Sequence, residues 1–543
     1  MLLPFTRLRP TLVGLLSTLL CAALGVSHAE EPAGVGDAAP AAPPTVVINR
    51  GLGPEPDSLH IHQAQGLAAI NLLRDIREGL VTFDAFGEPA PGQAASWEVL
   101  DDGRRYRFTL RPDARWSNGD PVTSADFLRA WRRAFTAEST AATAGLLKDL
   151  RNAGDILEGR MPPDALGVRA DGPGVVEIEL SQPAPWILEI LAHPVAFPLH
   201  EQGIDDARAA PVNGPFLIAE WIPRASISLR RNPEHYAAGT LAVEGVDYYP
   251  IEDAAAELSR YRAGELHVTE TIPAGRFAWL QENLAEDLRV HPYLGSFWLG
   301  VNFRHPVLGR SHELRRALAL AINRDILTRT VLGAGELPAW SVVPPGIAGY
   351  RPAAMPQSLL QQEQREDEAR RLFRASGAGQ DETLRLQLRY NTSAVHRRVA
   401  VAVAAMWKQV LGVSTELVNE EWKVFVNNRT MGVVTEVFRG GWIADYADPG
   451  SFLDLFISGS SLNHTFYANP AFDDLLAAAT AAGGAQRMEL LQRAEAQLVQ
   501  DMPVIPLYYY VSRHLVDPRV RGFENNVRDI HLSRYLALET SEP

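Results

Sequence analysis

Cysteine is nearly absent from this chain. Cys21 is the only one in 543 residues, and it lies in a stretch that reads as a removable leader. Residues 12–26 are apolar behind Arg7 and Arg9, and Ser27-His28-Ala29 forms a small-x-small cleavage site before Glu30. Cleavage between Ala29 and Glu30 leaves a chain with no disulfide, no thiol nucleophile and no cysteine metal ligand. Lipidation at Cys21 is the weaker reading, because Leu20 stands where lipoprotein processing requires a small residue.

Positive charge is also in short supply. There are 51 Lys and Arg against 65 Asp and Glu, a net charge of −14, which becomes −16 once the leader removes its two arginines. Such a surface argues against nucleic acid and anionic lipid as partners. After the leader, no run approaches the ~18 apolar residues of a membrane span. The expected product is an exported soluble protein.

Catalytic signatures are missing as well. His312-Glu313 begins like a zinc-protease helix, but Arg316 stands where the second histidine belongs. The run Gly412-Val413-Ser414-Thr415-Glu416 lacks the last glycine of a nucleophile elbow. His60-Ile61-His62 has no third metal ligand near it. Glu420-Glu421 and Asp473-Asp474 are adjacent in sequence and read as solvated faces. Gly51-Leu52-Gly53 precedes Pro54 and no helix, so it is not a dinucleotide loop. No cofactor, metal or catalytic residue is expected; a binding protein is.

At 543 residues the chain is too long for one core. Residues 30–44, rich in Ala, Pro and Gly, read as a disordered tether. Residues 45–49 read as a strand, 51–56 as a loop, and 58–80 as a segment that becomes helical, with Ile70, Leu73, Ile76 and Leu80 in register. A small antiparallel region follows. Tyr106, Phe108 and Leu110 alternate with arginines and a threonine, and Thr123 caps a helix with Asp126 in capping-box position.

From Phe297 the pattern turns α/β. Ser311 caps a helix, and a second helix ends at Gly333. The alternating strand at residues 384–390, the helix at 396–411 stopped by Gly412, and the strand at 413–418 make a β-α-β unit with a parallel pair. An apolar, aromatic strand at 504–516 closes the chain.

The richest stretch is residues 439–456. An apolar run at 433–438 reads as a strand leading to Gly440-Gly441, and Trp442, Asp445 and Tyr446 follow. Asp448-Pro449 reads as an N-cap with proline at the first helical position. That leaves Asp445 without a structural task. Beside two aromatics, it suits a bound cation such as an amine, though it could equally pair with an arginine or cap a turn. His396, Arg429 and Arg439 are basic candidates in the same region. Several of the 11 tryptophans (Trp116, Trp298, Trp340, Trp422, Trp442) sit in polar settings that suit an aromatic-lined cavity, although core packing is the simpler role for any one of them.

These residues resemble a known family. Pro89-Ala90-Pro91-Gly92, Trp116-Ser117-Asn118-Gly119, Glu313-Leu314-Arg315-Arg316-Ala317-Leu318 ahead of Asn323-Arg324-Asp325, Tyr390-Asn391-Thr392-Ser393, Glu421-Trp422-Lys423 and Gly441-Trp442-Ile443-Ala444-Asp445-Tyr446 occur in matching order. Together they are similar to the extracytoplasmic solute-binding proteins of family 5, the peptide-binding components of ABC importers.

The resemblance implies an α/β, periplasmic-binding-protein-like fold: two hinged lobes that close over a short peptide, with an extra third domain. Residues 45–77, 196–294 and 513–543 would form domain I, 78–195 domain II and 295–512 domain III. Asp445 would bind the peptide amino terminus, and Arg439, Arg429 and His396 its carboxylate or side-chain end. Trp442, Gly441, Ile443, Tyr446, Trp422, Gly66, Leu67 and Tyr293 would line the ligand, with main-chain pairing at Gly66, Leu67 and residues 440–443. Partners would be short peptides, an ABC permease and its ATPase; the protein would be a periplasmic monomer. The family disulfide would fall at Gly295 and Ile443, both lacking cysteine here. A lysine near Leu332 and an acidic residue at Gln65 are also replaced. A murein-peptide binder of the same fold is the nearest alternative, and a secreted hydrolase a remoter one.

Overall fold

In the computed structural model, the described residues are 46–64, 66–136, 144–203, 210–273, 275–379, 383–434, 436–444 and 446–539. Asp445, Gln65 and the leader lie outside them, as do the tether residues 30–44.

Alternating apolar residues build three principal sheets. The strand Val47–Gly53 pairs in parallel with Gly245–Pro250, which continues antiparallel to Ser226–Arg231 and Phe216–Ile222. The expected first strand therefore starts two residues later and takes in part of the expected loop. Gly51, expected to open the loop, is held in the strand by a backbone bond from its amide to the Val268 carbonyl. The helix after it is shorter than expected, Leu67–Ile76.

A second sheet, antiparallel throughout, joins Ala94–Leu100, Arg105–Leu110, Val175–Glu179 and Val168–Ala170. Tyr106, Phe108 and Leu110 are buried on one face, as their alternation requires. The helix Ser124–Ala134 packs beside it and carries the expected capping box between Thr123 and Asp126. Phe127 and Trp131 are fully buried. One continuous apolar core joins these two sheets, from Ile48 to Leu536.

The third sheet has six strands, in the order Leu337–Pro338, Val504–Leu515, Leu288–Val301, Val437–Ile443, Arg385–Asn391, Ser414–Glu420. The β-α-β unit forms as read: Arg385–Asn391 and Ser414–Glu420 are parallel, joined by the helix Ala394–Leu411, which ends on Gly412 with φ 74°. Leu288–Val301 is the longest strand, at 14 residues. It begins nine residues before the expected start and crosses Pro292, where its pairing with Val504–Leu515 shifts register.

The strand expected at 433–438 runs instead at Val437–Ile443 and includes both glycines. The reason is a close approach: a Cβ on Gly440 would run into the Trp298 indole. Asp448 accepts from the Gly450 amide at 2.7 Å, but the helix Gly450–Leu453 starts one residue later than expected, with Pro449 rather than Asp448 at its N-cap. Asp448 also makes a buried two-point pair with Arg487, at 2.8 and 3.2 Å. No helix among the described residues is long and apolar enough to cross a membrane.

Candidate functional site

The strand Val437–Ile443 lies between two neighbours of unequal length. On one side Leu288–Val301 accompanies it from Gly295–Ile443 to Val301–Val437. On the other, Arg385–Asn391 pairs with it only at Leu388–Val437 and Arg389–Phe438. From Arg439 onward, therefore, no strand among the described residues covers that second edge. A row of backbone donors and acceptors is left for another extended chain.

Strand alternation sends the side chains of this segment to two faces. Phe438, Gly440 and Trp442 face Trp298 across a cavity of about 100 Å³ that Arg429 and His464 also line. On the opposite face, Arg439 lies over the Phe297 ring at 5.2 Å, and the His396 ring is 5.6 Å from the same ring. Tyr510 offers its hydroxyl to Arg439. His396 enters from the first turn of Ala394–Leu411, and Arg429 from the last turn of Trp422–Thr430. The fold thus brings together three basic residues that are spread over 44 positions of sequence.

Their electrostatics are uncompensated. No described carboxylate forms an ion pair with Arg429 or Arg439, and the buried Nε of each and Nδ1 of His396 have no hydrogen-bond partner among the described residues. Burial lowers the Arg429 guanidinium to about 10, helped by the charge on Arg439. Burial, with Arg439 beside it, pushes His396 down to about 4, and His464 falls to about 4 through burial and Arg429. Clustered positive charge at a strand edge is costly to bury alone and is suited to an anionic group.

A second cavity, of about 190 Å³, opens at the far end of the strand. Ile443 and Tyr446 line it, with Leu67 and Tyr293 opposite. Gly66 immediately precedes the helix Leu67–Ile76, so Leu67 carries one of the helix's four N–H groups without an intrahelical partner. Tyr446 is anchored by stacking on Trp186 at 4.8 Å and 11°. Of the remaining sequence candidates, Asp445 lies outside the described residues, as does the side chain of Trp422.

Two tryptophans do not line either cavity. Trp116 is fully buried and donates to Asp126 at 3.3 Å. Trp340 is taken up between Arg324 and Arg365, whose guanidinium carbons lie 4.0 and 4.8 Å from its ring centre. Both serve the core, as polar-flanked tryptophans often do.

Sequence reasoning missed Arg74, Glu189 and His193, all lining the larger cavity. Arg74 follows Leu67 and Ile70 at helical spacing, and that stripe of one cation among apolar residues was the available signal. Burial lowers it to about 10, and it in turn adds to the burial that pushes His193 down to about 3. Glu189 accepts from the Ala447 amide at 2.9 Å and pairs with Arg528 at 2.9 and 3.0 Å. It ties two distant segments to the loop after the strand, and nothing local in the sequence marks it.

Comparison with known proteins gives consistent relatives. Residues 88–463 match the model for bacterial extracellular solute-binding proteins, family 5 middle. The chain is 36% identical to the periplasmic oligopeptide-binding protein OppA of Salmonella typhimurium, covering 93% of this chain and 94% of that protein. Among solved structures it is similar to the periplasmic murein tripeptide binding protein MppA in its unliganded open form, with a TM-score of 0.83, 32% identity, and 91% and 99% of the two chains covered. The Haemophilus influenzae OppA complex with RPPGFSPFR superposes with a TM-score of 0.72 at 31% identity, again over 91% and 99%.

Proposed function

The chain belongs to the bacterial extracellular solute-binding proteins of family 5, and we propose that it captures short peptides in the periplasm and hands them to an ABC permease driven by its ATPase. One observation carries this reading: the edge of Val437–Ile443 beyond Phe438 is left uncovered beside Arg429 and Arg439, which have no ion-pair partner among the described residues. A peptide laid along that edge pairs its main chain with residues 440–443, which gives affinity without reading side chains. Its carboxylate meets Arg439, Arg429 and His396, and its ammonium meets Asp445. Trp442 and Gly441 border the ligand on the strand, with Trp422 nearby. Gly66, Leu67, Tyr293, Ile443 and Tyr446 bound the other end.

Closing couples to binding because the two faces lie on different parts of the chain. Domain III, residues 295–512, carries the edge and the cations. Domain I, residues 45–77, 196–294 and 513–543, carries Gly66, Leu67 and Tyr293, and residues 78–195 form the extra domain. Only a closed state offers both sets to one ligand. The better superposition on the unliganded open form of a relative supports reading the present conformation as open. The protein acts as a monomer that binds without catalysis.

Native mass spectrometry of protein purified from cells tests this reading. Bound masses matching short peptides are expected, and a mass carrying diaminopimelate would select the murein-peptide alternative. Protein that carries no peptide and binds none from a mixed peptide pool by calorimetry would overturn the proposal.

A further inference from the structure

Far from the ligand edge in sequence, two imidazoles converge on one carboxylate oxygen. His514 Nε2 lies 2.8 Å and His531 Nε2 3.0 Å from Asp529 Oδ1. Among the described residues, these three are the only ones whose potential metal-ligand atoms all fall within 4.8 Å of one another. We propose that His514, Asp529 and His531 form a binding site for one divalent transition-metal ion of the zinc class, which fastens the C-terminal segment to the strand Val504–Leu515.

The geometry suits such an ion. Ligand atoms about 2.0–2.1 Å from a tetrahedral ion stand about 3.3 Å apart. The two separations that involve Asp529 Oδ1 need only a small spreading to reach this. His514 Nδ1 faces the Thr269 carbonyl oxygen at 2.9 Å, and since a carbonyl can only accept, Nδ1 carries the proton. A backbone carbonyl that sets the tautomer and aims the other nitrogen is how metal-bound histidines are usually held.

The loop is equally well placed. Asn526 bonds both the amide and the carbonyl of Ile530, fixing the short turn between the other two ligands. Asp529 itself sits in the left-handed region at φ 55°, a conformation uncommon for a residue with a side chain. Phe523 stacks on His531 with ring centres 3.7 Å apart, which locks that imidazole's plane. The Asp529 side chain is 27% exposed, which leaves a path for entry. Water completes the shell, since no fourth ligand among the described residues joins the three.

Two imidazoles and a carboxylate favour zinc, cobalt or nickel over magnesium or calcium, which prefer oxygen-only shells. The site is invisible to motif reading because the sequence spacing of 15 and 2 residues has no recognised pattern. It does not depend on the peptide reading, since none of the three residues borders the proposed ligand path.

The experiment is a titration of the mature full chain, stripped with chelator, with Zn²⁺ by calorimetry and with Co²⁺ by visible absorption. One Zn²⁺ per chain is expected, together with a higher melting temperature and the strong visible band of tetrahedral Co²⁺. Asp529→Asn and His531→Gln should each weaken Zn²⁺ binding at least about tenfold while leaving peptide affinity unchanged, which also reports that they fold. Absence of Zn²⁺ uptake by the unsubstituted chain, or variants that bind Zn²⁺ as tightly as the unsubstituted chain, would overturn the proposal. The cobalt spectrum keeps the test decisive if one variant fails to fold.

Discussion

Gly295 and Ile443 face one another across the paired strands Leu288–Val301 and Val437–Ile443. They are the two positions at which the family resemblance puts a disulfide, and the structure makes them cross-strand neighbours. Yet a Cβ on Gly295 would run into the Tyr510 ring. The missing bridge is therefore not a simple exchange of two side chains, because Tyr510 has taken the space. The double variant Gly295→Cys with Ile443→Cys should be overpacked by about 1–3 kcal/mol and keep its thiols free. Adding Tyr510→Ala should let the bridge form, as counted by thiol labelling under denaturing, non-reducing conditions.

Removing the Trp186 ring takes away the stack that holds Tyr446, the neighbour of Asp445. An aromatic stack of this kind contributes about 1 kcal/mol. Trp186→Ala should thus weaken peptide binding roughly fivefold by calorimetry, with the loss mainly in residence time because the contact orders the loop.

The cation cluster predicts a preference that can be read on the unmodified protein. A peptide amidated at its carboxyl end should bind about 1.5–3 kcal/mol more weakly than the free acid. Arg439→Ala should narrow that difference while leaving the amide's affinity nearly unchanged. An amide that binds as well as the acid would remove Arg439, Arg429 and His396 from the ligand's path.

Glu78 gives a pH dependence with a definite sign. Burial, the largest single influence, would raise its carboxyl, but Arg534, His235 and Gln93 together outweigh it and hold it at about 2. Its folded value is thus below the ordinary 4.5. The stability it contributes is present in full above 4.5 and is lost as pH falls toward 2. Glu78→Gln strands Arg534 and should cost about 3–5 kcal/mol at pH 7. Urea unfolding of the two proteins should show this gap shrinking between pH 4.5 and 2.

How much of this was legible without coordinates depended on whether the decisive contact was local. The capping box at Thr123 and Asp126, the Gly412 stop and the alternation of Tyr106, Phe108 and Leu110 are set by residues within a turn or a strand of one another, and all were readable. The strand expected at 433–438 stops short of Gly440, because nothing local says what fills the space beside a glycine. Here the Trp298 indole, 142 positions away, takes the place of its side chain, and the strand continues. The start of the long strand at Leu288 rather than Phe297 was equally hidden, since the pairing that carries it past Pro292 belongs to the partner strand Val504–Leu515. In the site, motif resemblance supplied the basic residues and the aromatics. The uncovered strand edge, the Trp186–Tyr446 stack and the meeting of His514 with His531 come from chain segments that only the fold brings together.

The proposal that a peptide ammonium is neutralised by Asp445 comes down to a two-by-two titration. A free-amine peptide and its N-acetylated form are each titrated by calorimetry into the unsubstituted protein and into Asp445→Ala. The free amine should lose about 2–5 kcal/mol on substitution, and acetylation should cost a similar amount in the unsubstituted protein but little in the variant. If the free-amine peptide binds both proteins equally well, Asp445 does not hold the ammonium and the proposed orientation of the peptide is wrong.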